Sequence, residues 1–112
     1  MAQTADGESD VVMSKLLKLH ERLSKIRTAL LEGKLSKAGD TAEEIAEDAE
    51  RYNCTMCEGL ALGLRGGVAF AAAMPDESRR EDRIEAVLDE VNSQRQKIES
   101  EIEMLEGEDG AA

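Results

Sequence analysis

Glu58-Gly59-Leu60-Ala61-Leu62-Gly63-Leu64-Arg65-Gly66-Gly67-Val68-Ala69-Phe70-Ala71-Ala72-Ala73-Met74 is the stretch on which the fold class turns. It holds four of the nine glycines, and each costs about 1 kcal/mol in a helix interior relative to alanine. Read as a helix, it places Gly59, Gly63 and Gly67 at i, i+4 and i+8, a face that another helix can approach closely. Read as a β-hairpin, Leu60, Leu62 and Leu64 alternate, Arg65-Gly66-Gly67 turns, and Val68 and Phe70 alternate back. Two isolated strands are marginal in water, and Ala69 and Ala71–Ala73 are poor strand formers. Helix is favoured, with local disorder that resolves on partner binding as a third reading. Such a helix is equally well explained as a buried middle element crowded by its neighbours.

The flanking segments carry clearer periodicity. Val12, Leu16, Leu19, Leu23, Ile26 and Leu30 alternate in spacings of four and three, a heptad seam. Leu31 and Leu35 carry the apolar face past Gly33, so Gly39 is the expected end of the first helix. Thr41-Ala42-Glu43-Glu44 reads as a capping box opening the second. Ile45, Ala49, Tyr52 and Met56 continue the heptad there, and extending it puts Gly59, Gly63, Gly66 and Phe70 on the seam. Pro75 stops this helix. Asp76 or Ser78 caps the third, whose apolar side is Ile84, Leu88, Val91, Ile98, Ile102 and Leu105. Arg95 takes one seam position as a polar interruption that sets register or oligomer state, beside Ile98 and Ile102.

The sequence therefore predicts an all-α antiparallel bundle of three long, coiled-coil-like helices, at about 10–38, 42–74 and 77–106. They form one domain over 10–106, between flexible tails at 1–9 and 107–112. Such a chain closes alone or dimerises.

Tyr52 and Phe70 are the sole aromatics and 35% of residues are charged, so the core is aliphatic. A net charge of -11 argues against direct nucleic-acid binding and anionic membranes. Residues 10–38 carry seven Lys/Arg against three Asp/Glu, a net of +4; residues 40–58 net -6 and residues 75–112 net -8. A basic first helix thus lies against acidic later ones. The sixteen residues Gly59–Met74, interrupted by Arg65, are too short for a membrane span. With no leader pattern at the N-terminus, the expected compartment is the cytoplasm, where Cys54 and Cys57 stay reduced.

Chemistry-bearing motifs are sparse. Cys54-Thr55-Met56-Cys57 offers two thiolates, and His20 a third metal ligand, one short of a structural zinc site unless two subunits share it. A redox role expects a βαβ context, which is absent; two small apolar residues one turn apart is the simpler reading. His20-Glu21 resembles a phosphoacceptor pair without any nucleotide domain. Glu43, Glu44, Glu47, Asp48 and Glu50 read as a solvated face. No catalytic residue, cofactor motif or enzyme activity is expected.

Arg51-Tyr52-Asn53-Cys54-Thr55-Met56, continuing through Leu60, Gly63-Leu64-Arg65 and Ala69, resembles the middle helix of flagellar and type III export chaperones. Ala29-Leu30-Leu31-Glu32-Gly33-Lys34-Leu35 is similar to the end of their first helix. The resemblance spans roughly residues 12–73 and implies an adaptor or chaperone that holds a partner's amphipathic helix. Met56, Leu60, Leu64 and Phe70 then line the groove, with Gly63 and Val68 between them. Two other classes fit the composition: a self-associating coiled-coil protein with Arg95 as register device, and an acidic inhibitor mimicking nucleic acid.

Overall fold

Two left-handed residues decide where the chain reverses. Gly33 (φ 75°) and Asn53 (φ 54°) each follow a helix end. At the first, the Lys34 amide donates to the Ala29 carbonyl at 2.8 Å and the Gly33 amide to Leu30 at 3.1 Å. At the second, Cys54 donates to Ala49 at 2.8 Å and Asn53 to Glu50 at 3.2 Å. Both are Schellman caps, in which a glycine or asparagine takes the left-handed position and orphan carbonyls are satisfied. Across the first, Lys34 Nζ lies 3.0 Å from Glu32; its hydrogen bond and charge hold that carboxyl below the usual range.

The computed structural model describes the backbone of residues 2–111 and the side chains of residues 11–107. The described residues form α1 (Ala2–Leu31), α2 (Leu35–Arg51), α3 (Thr55–Ala72) and α4 (Glu77–Ala111). The all-helical expectation holds; the count of three does not. Gly33, not Gly39, ends the first helix, and the expected second helix is broken at Tyr52-Asn53-Cys54. The stretches read as tails, 1–9 and 107–112, continue α1 from Ala2 and α4 to Ala111 over the described backbone, and their side chains lie almost wholly outside the described residues.

These corrections share a cause. Ala38, Ala42, Ile45 and Ala49 form one buried stripe, which requires helix through Gly39. Thr41 is therefore buried inside α2, its hydroxyl donating to the Lys37 carbonyl at 3.0 Å, instead of capping a terminus. Asp76 is the cap of α4, accepting from the Ser78 amide at 3.2 Å.

α1 packs on α2 and α4, and α3 on α2 and α4, while the two diagonal pairs make no close approach. This is a square four-helix arrangement of 58 × 25 × 18 Å. At 1.5 Å per residue α1 and α4 run about 45 and 52 Å, and α2 and α3 about 26 Å each. The short pair covers only part of the long pair. Arg22 of α1 pairs with Glu44 and, at 3.3 Å, Asp48 of α2. Lys15 lies over the Tyr52 ring at 5.2 Å, so α2 ends there and residues 11–14 pass beyond it. On the other side His20 Nε2 is 2.9 Å from Glu99 of α4.

The core is Leu23, Ile26, Leu30, Ile45, Leu64, Val68, Val87, Val91 and Ile98, interleaved with Ala29, Ala38, Ala42 and Ala61. Alanine on α2 and α3 brings the backbones close. A β-carbon added at Gly67 would sit 2.9 Å from Cγ2 of Val87, whereas one at Gly63 meets nothing within 4 Å. Gly67→Ala is expected to destabilise by about 1–2 kcal/mol net, because the stiff valine must give way. Gly63→Ala should stabilise by about 0.5–1 kcal/mol through helix propensity. Urea denaturation of both variants checks the pair; equal effects would mean that α3 and α4 are not closely packed at Gly67.

Candidate functional site

The break at Asn53 rotates α3 relative to the heptad continued from α2. Ala61, Leu64, Val68 and Ala71 face inward and are buried, and Leu60 packs partly against them. The glycines assigned to the seam by extrapolation instead face out. Gly59, Leu62, Gly63, Gly66, Ala69, Phe70 and Ala73 are all exposed, and none is charged. Leu62 and Phe70 are each 50% exposed, and Met56 at the start of the helix is 84% exposed.

The six residues inferred to line a groove therefore divide. Leu64 (2%) and Val68 (4%) belong to the core, Leu60 is intermediate, and Met56, Gly63 and Phe70 are at the surface. Leu62 is the apolar residue missed. Its signal was the spacing Gly59-Leu62-Gly66-Ala69-Ala73, an i, i+3, i+7 run visible only once α3 is phased independently of α2.

A shallow groove of about 480 Å³ runs between α3 and α4, lined by Gly63, Gly66, Gly67, Phe70, Arg83, Ala86 and Glu90. Its floor is backbone and small side chains because the glycines have none to fill it. The guanidinium of Arg83 lies 4.7 Å from the centre of the Phe70 ring, a stacking that holds the ring against α4. On the opposite flank α2 presents Glu43, Glu47 and Glu50, all exposed. Their i, i+4, i+7 spacing puts them on one face. Glu43 is the member nearest α3, 3.6 Å from Arg65. The apolar strip is thus bordered by Arg65 and the carboxylates of α2 on one side and by Arg83 and Glu90 of α4 on the other.

Other candidate residues lie elsewhere. His20 is engaged by Glu99 on the α1–α4 side. Cys54 and Cys57, expected as free thiols, are joined in a disulfide across the first turn of α3. No three His, Cys, Asp or Glu side chains among the described residues gather to hold a metal ion. Ile98 is buried and Ile102 packs against the core. Arg95 is partly buried, and its Nε has no hydrogen-bond partner among the described residues. No described helix is long and apolar enough to cross a membrane.

No family model, curated protein or solved structure matches this chain.

The division of α3 into two faces is directly measurable. Leu64→Ala should cost about 2–5 kcal/mol, as expected for a buried leucine. Leu62→Ala should change stability by about 0.5 kcal/mol or less. Thermal melts followed by circular dichroism decide this, and a large loss at Leu62 would place it in the core.

Proposed function

We propose that this chain is a helix-binding module whose outward α3 face receives an amphipathic helix with basic flanks. The observation that carries this reading is the uncharged strip of Leu62, Phe70 and small residues on the surface of an otherwise highly charged chain. Exposed apolar surface of this kind marks interaction sites more often than isolated exposed residues do. Glycines at 59, 63 and 66 let a partner backbone approach closely, and Leu62 and Phe70 supply anchors on either side.

Charge selects the occupant. With Glu43, Glu47 and Glu50 along one border and Glu90 along the other, against only Arg65 and Arg83, a second copy of this face would set one net-negative border against another. Lysine or arginine flanking an apolar stripe satisfies both borders and steers encounter. An export substrate's terminal helix, the ligand that the resemblance to export chaperones implies, is one helix of this chemistry.

The test uses a synthetic helical peptide with leucines at i, i+3, i+4 and i+7 and lysines beside them, titrated into the full chain and followed by fluorescence anisotropy. Binding should weaken at least about tenfold in Leu62→Asp and in Gly63→Leu, both of which retain the helical spectrum, and should weaken as salt rises. A glutamate-flanked peptide should bind poorly. Equal binding of the two peptides, or binding unmoved by either substitution, would overturn the proposal. So would a stable dimer by light scattering that leaves the face covered.

A further inference from the structure

The disulfide at the start of α3 is placed for chemistry that the bundle does not otherwise use. Cys54 and Cys57 are three residues apart in sequence, with Cα atoms 5.3 Å apart. So short a loop constrains the unfolded chain least of all, so the bond adds little to stability by that route. Cys54 is the N-cap of α3, and its sulfur accepts a hydrogen bond from the Cys57 amide at 3.2 Å. Negative charge at that position is favoured by the free amides and the helix dipole. Both cysteines are only partly buried.

An independent feature adjoins them. A cavity of about 30 Å³ between α1, α2 and the start of α3 is bordered by both cysteines, by Leu19 and Tyr52, and by Lys15 and Lys18 of α1. That volume holds one or two waters or the sulfur end of a small thiol. Arg22 and Asp48 also line it, but they are paired with each other. On α3 itself, Glu58 in the first turn is the one opposing charge. Two lysines therefore border the same cavity as the sulfurs, which lie at the N-terminus of α3.

We propose that Cys54-Thr55-Met56-Cys57 is a redox-active pair that exchanges with low-molecular-mass anionic thiols, with Cys54 as the attacking sulfur. In the reduced chain, Cys54 thiolate attacks one sulfur of a small disulfide, forming a mixed disulfide and releasing the first thiolate, which takes a proton from water. Cys57, having lost its proton to solvent, attacks Cys54 Sγ and releases the second thiolate. Two electrons pass from the dithiol to the substrate, which leaves as two thiols. Lys15 and Lys18 sit where carboxylates of the substrate would lie. This exchange is independent of the outward α3 face.

The experiment places the full chain in mixtures of reduced and oxidised glutathione, quenches with an alkylating reagent and weighs the products. The pair is expected to titrate reversibly in the folded protein. Cys57→Ser should accumulate a mixed disulfide at Cys54 at least about tenfold faster than Cys54→Ser does at Cys57. Glutathione should react faster than the cationic thiol cysteamine, a preference lost in Lys18→Ala. The wild-type dithiol should also outpace the same chain in denaturant, a comparison that does not depend on any variant folding. A disulfide that opens only after denaturation, or thiols no faster than those of the denatured chain, would overturn the proposal. Equal rates for glutathione and cysteamine would overturn the substrate class.

Discussion

Val87 reaches to within 2.9 Å of where a β-carbon of residue 67 would stand, so the α3–α4 contact is as close as it is at that point because position 67 is glycine. The rest of the bundle follows from that closeness. With two long helices and two short ones and almost no aromatic volume, the interior can be filled only if the backbones come near one another. Alanine at 38, 42, 49, 61 and 71 achieves this on α2 and α3, and packing at native density then needs few large side chains. Leu23, Ile26, Ile45 and Val91 are the large ones fully enclosed. Enlarging any of the small positions would push a helix outward and open voids beside all four.

The long helices are legible because their seams run over several turns, although Val12 at the start of the first is exposed and Arg95 interrupts the second. Leu16, Leu19, Leu23, Ile26 and Leu30 face inward as spaced, and Val91, Ile98 and Ile102 do so on α4. The middle of the chain was not legible, for a physical reason. Ala49, Tyr52 and Met56 keep heptad spacing across a site where the backbone turns back on itself, so periodicity alone runs through the break. The stop signal is Asn53 in a left-handed conformation, and asparagine is too common outside turns to announce itself. Gly33 and Gly39 were both plausible ends. What separates them is the buried stripe from Ala38 to Ala49, a tertiary fact that sets Gly39 where an added β-carbon would lie 3.8 Å from Cγ1 of Val68.

The candidate site inherited that error of phase. Six residues were drawn from one continuous helix, and α3 sorts them into two faces once it begins afresh at Thr55. Leu64 and Val68 were recognisable as apolar but not as interior. Leu62 falls between seam positions on the extrapolated heptad, so that pattern does not reveal it. The carboxylates of α2 were read as a solvated face, which the exposure of Glu43, Glu47 and Glu50 supports. Their place along the border of α3 needs the reversal at Asn53 to bring the two helices side by side.

The same three residues therefore govern two regions of the molecule. Tyr52 closes α2 over Lys15, Asn53 supplies the left-handed step, and Cys54 opens α3 as its cap. The direction in which Cys54 starts the helix determines which of its faces looks outward. It also sets Cys57 one turn later, where the two sulfurs meet at the cavity that Lys15 and Lys18 of α1 also border. Had the turn been made by a glycine-rich loop, α3 could have settled in several rotational phases. A Schellman cap at Asn53 followed at once by Cys54 as the cap of α3 narrows that choice. The glycine-rich helix, poor in propensity and long in apolar surface, thereby holds a defined outward face.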